Sequence, residues 1–291
     1  MRRKILLAAL LSVGLVSCDK YDIPGMIAGS SPSSNERFAQ SKAYNDVHGF
    51  EHIFVSGDGY TFYASTDSHV CATANGIRRF VSAYMADSKA APFALFLGDA
   101  MDRKNNFHLF LETVKPVSEG GRNLFCTPGN HDLYFGQWTE YIAAMKTGTY
   151  LVEVSCVSGE TVLCTDLLIC LDSASGTLGT EQRDWLESVL SSAQGRYRHI
   201  IIFTHTHFFK RDNSQGHTGN FGLEEGYDLS ALFSRCGVDM VLSGHDHFYE
   251  DTFFKNVRYL TLAAIDDTAP KPCFYTFTVA SDSISVREFS L

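Results

Sequence analysis

Apolar residues in this chain gather in short runs that stop abruptly at small or polar residues. The runs are Tyr60–Ala64, Phe93–Leu97, Leu124–Cys126, Ile200–Phe203 and Val238–Leu242. Such runs, bounded by turn residues, read as buried strands. Between them the spacing changes to that of a helix. Asn75–Met85 and Phe107–Val114 each carry an apolar helical face. Thr180 is expected to cap a helix burying Trp185, Leu186, Val189 and Leu190, and Asp228 one burying Leu229, Leu232 and Phe233. Strands alternating with helices from Tyr60 to Phe125 predict βαβ units with parallel strands. Thr149–Cys156 and Thr161–Leu171 have no helix between them and turn at Ser158-Gly159-Glu160; Arg258–Ala263 and Phe274–Phe289 also lack one. These are the expected antiparallel parts. Val55–Tyr60 reads as a hairpin through Asp58-Gly59. The pattern as a whole predicts a mixed α/β domain.

The N-terminus departs from this pattern. Arg2, Arg3 and Lys4 precede the apolar stretch Ile5–Val16, which has the form of a secretory signal and is too short to span a membrane. The segment Leu15-Val16-Ser17-Cys18 resembles the lipobox of bacterial lipoproteins. That resemblance implies a signal peptide over 1–17, a lipidated Cys18 and a protein anchored to the bacterial cell envelope. Residues 18–36 are rich in Gly, Pro, Ser and Asn and read as a flexible tether. Residues 37–291 are enough for one large domain.

Charge narrows the partners. The formal net charge is −9 and falls further when the basic signal is lost, which argues against a binder of nucleic-acid backbone. A phosphate substrate stays compatible, because bound cations reverse the local sign. Of eight cysteines, Cys126 and Cys170 lie in apolar runs and read as small hydrophobes. Cys156 and Cys164 flank the Gly159 turn and are candidates for pairing in an oxidising compartment, although spacing alone establishes no bridge.

The polar clusters that end the runs carry the chemistry. They are Asp67-Ser68-His69, Gly98-Asp99, Gly129-Asn130-His131-Asp132, Thr204-His205-Thr206-His207 and Gly244-His245-Asp246-His247. Ligands of open α/β sheets bind beyond the carboxyl ends of strands. Carboxylate, amide oxygen and imidazole together suit a divalent cation. Residues two apart on an extended segment share a face, so Asp67 and His69 can approach one ion, as can His245 and His247. His131 beside Asp132 is a candidate proton donor.

The ordered set resembles the calcineurin-like metallophosphoesterase superfamily, with D-x-H, GDxxD, GNHD, a lone His after a strand, and GHxH. Here these are Asp67-x-His69, Gly98-Asp99 through Asp102, Gly129 through Asp132, His205, and Gly244 through His247. The resemblance implies a four-layer αββα sandwich of two mixed β-sheets flanked by helices. It implies one metal on Asp67, His69 and His247, a second on Asn130, His205 and His245, and Asp99 bridging them. The metals would be Mn, Fe or Zn. A phosphoester, mono- or diester, would be hydrolysed by a metal-bridged hydroxide with His131 as general acid and Asp132 orienting it. Asp102 is expected to hold a turn or a ligand histidine.

The chain also departs from the family pattern. The residue two after the fourth-motif histidine is usually Pro; here it is His207. Motif position favours His205 as the ligand, and strand geometry is neutral between the two. His69 and Asp102 replace the Gly and Tyr of the purple acid phosphatase branch. Lys210, Arg211, His217 and Asn220 lie in a polar loop, 208–226, and with Tyr134 are candidates for contacting substrate. The alternative function is a non-catalytic metal-binding or scaffold lipoprotein on the same fold. A zinc peptidase is disfavoured because HExxH is absent.

Overall fold

Ser33 starts the first regular element. Its hydroxyl accepts from Glu36 N while Glu36 reaches back to Ser33 N, a capping box that opens helix α1, Ser34–His48. The computed structural model describes residues 31–88, 91–102, 106–209 and 220–291. The signal segment, Cys18 and most of the expected tether lie outside these residues. α1 begins within the last part of that tether, at Ser34. Among the described residues no helix is long and apolar enough to cross a membrane.

The remaining elements in order are β1 (Glu51–Ser56), β2 (Tyr60–Ser65), α2 (Asn75–Ala86), β3 (Phe93–Phe96), α3 (Phe107–Glu119), β4 (Asn123–Cys126), α4 (Trp138–Met145), β5 (Tyr150–Ser158), β6 (Thr161–Cys170), α5 (Gly179–Ala193), β7 (Ile200–Phe203), α6 (Leu223–Arg235), β8 (Met240–Ser243), β9 (Glu250–Phe254), β10 (Val257–Thr261), β11 (Cys273–Val279) and β12 (Ile284–Ser290). One sheet has the order β1-β5-β6-β7-β8-β10-β9 and the other β12-β11-β2-β3-β4. Both are mixed.

Strand alternation builds four layers. Phe93 and Leu95 of β3 face the core shared with the other sheet, where Val152, Leu168, Phe203 and Leu242 meet them. Ala94 and Phe96 face outward onto Phe80, Phe107, Phe110 and Tyr141 of α2, α3 and α4. In the larger sheet Ile201 and Phe203 point inward, while Ile200 and Ile202 pack on Leu186, Leu190, Leu229 and Phe233 of α5 and α6. Strands covered on both faces must be apolar at every position, which is why the runs are continuous. The result is the expected αββα sandwich.

Several local expectations change. β1 and β2 form no hairpin: β1 pairs with β5 in one sheet and β2 with β3 and β11 in the other. Turn chemistry reverses the chain, but burial chooses the partner. Gly59 is needed there because a Cβ would lie 2.5 Å from Val279 O. β10 pairs antiparallel with β9, not with the strand that follows it. α5 starts at Gly179 and α6 at Leu223, so Thr180 and Asp228 lie inside helices and cap neither. Cys156 and Cys164 are register partners across β5 and β6, yet both are free thiols.

Candidate metal centre

Every donor cluster sits just past a strand end. Asp67 and His69 follow β2, Asp99 follows β3, and Asn130, His131 and Asp132 follow β4. His205 and His207 follow β7, and His245 and His247 follow β8. β2, β3 and β4 run parallel in one sheet, and β7 and β8 in the other. The donors therefore meet at one rim of the sandwich, where the two sheets face each other. The loops after β2, β3 and β8 are strained. Asp67, His69, Asp99, His245 and His247 have φ of 51°, 39°, 54°, 74° and 60°. Non-glycine residues in this region cost of order 1–3 kcal/mol each and cluster at functional sites.

The side chains form two groups joined by one carboxylate. In the first, His69 Nε2 lies 3.0 Å from His247 Nε2. Asp67 Oδ1 lies 3.3 Å from His247 Nε2 and 3.6 Å from His69 Nε2. In the second, His205 Nε2 lies 3.1 Å from both Asn130 Oδ1 and His245 Nδ1. Asp99 Oδ2 stands 3.4 Å from His205 Nε2 and 3.6 Å from His69 Nε2, between the groups.

Each carboxylate spends one oxygen on the protein and turns the other inward. Asp67 Oδ2 accepts from Thr66 Oγ1 and His245 N, leaving Oδ1 buried with no hydrogen bond. Asp99 Oδ1 accepts from His131 N, leaving Oδ2 for the cluster. His205 Nδ1 donates to Leu97 O at 2.7 Å, which fixes the tautomer and aims the Nε2 lone pair at the group. A buried, bare carboxylate oxygen is costly unless a cation offsets it. The donor set thus fits a divalent metal. Glycines make room for it: a Cβ on Gly129 would lie 2.1 Å from Asp99 Oδ1, and one on Gly244 2.5 Å from Asp67 Oδ2.

The charges interlock. Burial alone would raise the Asp67 carboxyl, but the His247 and His69 imidazoles hold it well below the carboxylate range. Burial likewise opposes His205, yet Asp99 raises it to about 10; for His69 the neighbours Asp67 and Asp99 raise it to about 9. His245 is lowered to about 4 by burial and the charge of His205.

His131 is buried at the edge of the first group, its ring 4.7 Å from that of His69 and edge-on to it. Burial lowers its pKa. Its Nδ1 faces Asp102 O at 3.3 Å and Asp102 Oδ1 at 4.0 Å. Asp132 does not orient it. The Asp132 carboxylate instead accepts from Asp99 N, Ala100 N and Gly129 N, clamping the β3 and β4 loops together. Three backbone donors of the β3 and β4 loops outcompete the neighbouring ring for that carboxylate. Asp102, expected to hold a turn or a ligand histidine, donates its N–H to Val70 O and sets its carboxylate 3.9 Å from His69 Nδ1 and 4.0 Å from His131 Nδ1.

Residues 44–249 match the family model for calcineurin-like phosphoesterases. The chain belongs to the calcineurin-like phosphoesterase family. Among solved structures, this phosphoesterase is similar to a dimetal phosphatase from Danio rerio, with 14% identity, a TM-score of 0.62, and coverage of 80% of this chain and 99% of that one. It also resembles GAP50, the anchor in the inner membrane complex of Plasmodium (14% identity, TM-score 0.59, 80% and 85% covered). A purple acid phosphatase from yellow lupin seeds matches with 14% identity and a TM-score of 0.58, over 81% of this chain and 52% of that one. No curated protein matches the sequence. At these identities the structural likeness shows the fold.

The phosphoesterase keeps both fourth-motif histidines buried. His205 is among the donors; the His207 ring lies 5.6 Å from that of His245, with its Nδ1 lacking a hydrogen-bond partner. Burial and the charge of His205 lower His207 to about 4. Ser173, which sequence reading passed over, holds this loop: its Oγ contacts Thr204 Oγ1 and accepts from Thr206 N, and its carbonyl accepts from Thr206 Oγ1. Nothing in the sequence marks a lone serine a strand away. Of the substrate candidates, Lys210, Arg211 and His217 lie outside the described residues, and Tyr134 is half-buried beside His131.

Proposed function

We propose that this chain is a phosphoester hydrolase working with two metal ions, one held by Asp67, His69 and His247, the other by Asn130, His205 and His245, with Asp99 shared. The observation that carries the reading is the place of Asp99 Oδ2, within 3.4 Å of one imidazole group and 3.6 Å of the other. When bound, such an ion pair supplies charge neutralisation for phosphoryl oxygens and an acidified water as nucleophile. The chain's own residues do the rest. His131 Nδ1 donates to the Asp102 carbonyl, so Nε2 is the ring nitrogen that passes a proton to the leaving oxygen. The negative charge of a bound phosphoryl group raises the His131 pKa from its depressed value and charges the ring. Tyr134 stands beside His131, and the loop that follows β7 in sequence carries Lys210, Arg211 and His217 as candidates for gripping the ester.

A scaffold role on the same fold remains the alternative, and the retained donor set argues for catalysis over it. The test uses metal-stripped protein reloaded separately with Mn(II), Fe(II) or Zn(II), assayed on p-nitrophenyl phosphate and its bis ester. Turnover that needs metal and disappears in Asn130→Ala is expected; the favoured ester narrows the substrate class. A fully loaded protein that hydrolyses no member of a broad phosphoester panel sinks the reading. The lipobox-like Leu15–Cys18 supports a membrane-anchored placement, which Cys18→Ala should release into the soluble fraction.

A further inference from the structure

An asparagine ligand has a handedness problem that a carboxylate does not. Its amide offers an oxygen at one end and an NH2 at the other, nearly equal in size. Only the oxygen can face a cation, so something must hold the NH2 end. In this chain Asn130 Nδ2 donates to Tyr134 Oη at 3.2 Å, while Asn130 Oδ1 points to His205 Nε2 at 3.1 Å. We propose that Tyr134 is a positioning residue for Asn130, whose hydroxyl locks the amide with its oxygen toward His205 and His245. This rests on the reading of Asn130 as a metal ligand and adds the group that orients it.

The backbone is built for the contact. Leu133 N donates to Asn130 O, starting a tight turn that continues into the 3-10 segment Tyr134–Gly136. That turn carries Tyr134 back over Asn130. Phe135 and Gly136 then take positive φ, 56° and 76°, and the chain leaves the site. The Tyr134 ring lies 5.0 Å from that of His131, so one side chain braces both the ligand and the proton donor. Phenylalanine there would keep the ring and remove the hydroxyl that accepts from Asn130 Nδ2.

The experiment titrates the metal-stripped full-length chain with Mn(II), reading affinity and stoichiometry by calorimetry. Tyr134→Phe is expected to weaken one of two sites by about tenfold and leave the other unchanged, in line with the loss of an outer-shell partner. In an Asn130→Asp background either oxygen can face the ion, so adding Tyr134→Phe should then change the affinity little. A merely structural role for Tyr134 would affect both backgrounds alike, and that result would overturn the proposal. So would equal Mn(II) affinities for Tyr134→Phe and wild type, with the two-ion reading left standing. A wild-type chain that takes up no Mn(II) would overturn both.

Discussion

At the scale of single residues, two aspartates near His131 do different work. Asp132 satisfies three buried backbone amides, Asp99 N, Ala100 N and Gly129 N. Each buried donor left without a partner costs about 1–3 kcal/mol. Asp132→Ala should therefore lower stability by several kcal/mol in urea unfolding, and with it metal uptake. The Asp102 carboxylate stands 4.0 Å from His131 Nδ1 and 3.9 Å from His69 Nδ1, and its carbonyl 3.3 Å from His131 Nδ1. Asp102→Asn should keep the fold and the bound metal while kcat falls roughly tenfold or more, as for other groups that orient a functional histidine. Comparing metal content with turnover separates the two. Gly129→Ala brings a methyl within 2.1 Å of Asp99 Oδ1 and 2.4 Å of Asp99 N. Elemental analysis should find that variant depleted of metal.

Among the elements, α2 shows a cap supplied from far away. Its own N-cap residue, Ala74, has no side chain to offer. Asp267 takes its place, accepting from Thr73 Oγ1, Asn75 N and Gly76 N. Burial works against the Asp267 carboxylate, but these bonds hold its pKa below the ordinary value. Asp267→Ala should cost about 1 kcal/mol at neutral pH, the usual worth of a helix cap. The sign of the pH effect follows. A depressed folded pKa stabilises above the unfolded value, about 4 for aspartate, and that contribution is lost as pH falls through the folded value. The stability gap between wild type and Asp267→Ala should thus narrow in urea titrations taken from pH 7 down to pH 3.

The molecule as a whole is tied together by one shared core and one buried ion pair. Residues of both sheets fill the same central apolar layer, which joins two halves that each pack their own helices on the outer face. Arg37 of α1 reaches into the body, where Nε meets Asp172 Oδ2 at 2.7 Å and Nη2 meets Oδ1 at 3.1 Å. The pair is almost fully buried, 1% and 2% exposed. Removing one partner strands the other charge, which costs about 3–5 kcal/mol. Arg37→Met should lose about that much in urea unfolding, and Arg37→Met with Asp172→Asn clearly less. Bound metal adds to the same balance. At a free concentration of a hundred times Kd, one site stabilises the fold by about 2.7 kcal/mol, so a chelator should lower Tm measurably.

The linear order of residues by itself determined the donor set and its place at strand ends. Asp67, His69, Asp99, Asn130, His205, His245 and His247 are legible as candidate ligands because a metal centre would demand particular atoms, and strands covered on both faces demand uninterrupted apolar runs before them. The helical faces at Ile77, Leu186 and Leu229 were legible for the same reason, burial on one stripe. Tertiary structure alone decided matters in which distant parts compete. Asp58-Gly59 carries turn chemistry, but the core chose a different sheet for each flanking strand. Thr180 and Asp228 have the chemistry of caps, but the helices begin one and five residues earlier, at Gly179 and Leu223. His131 has an acid next to it in the chain, yet its partner is Asp102, because the backbone of the β3 and β4 loops claims Asp132 first. Asp267 and Ser173 escaped notice altogether, since a hydrogen bond between residues far apart in the chain leaves no periodicity to read.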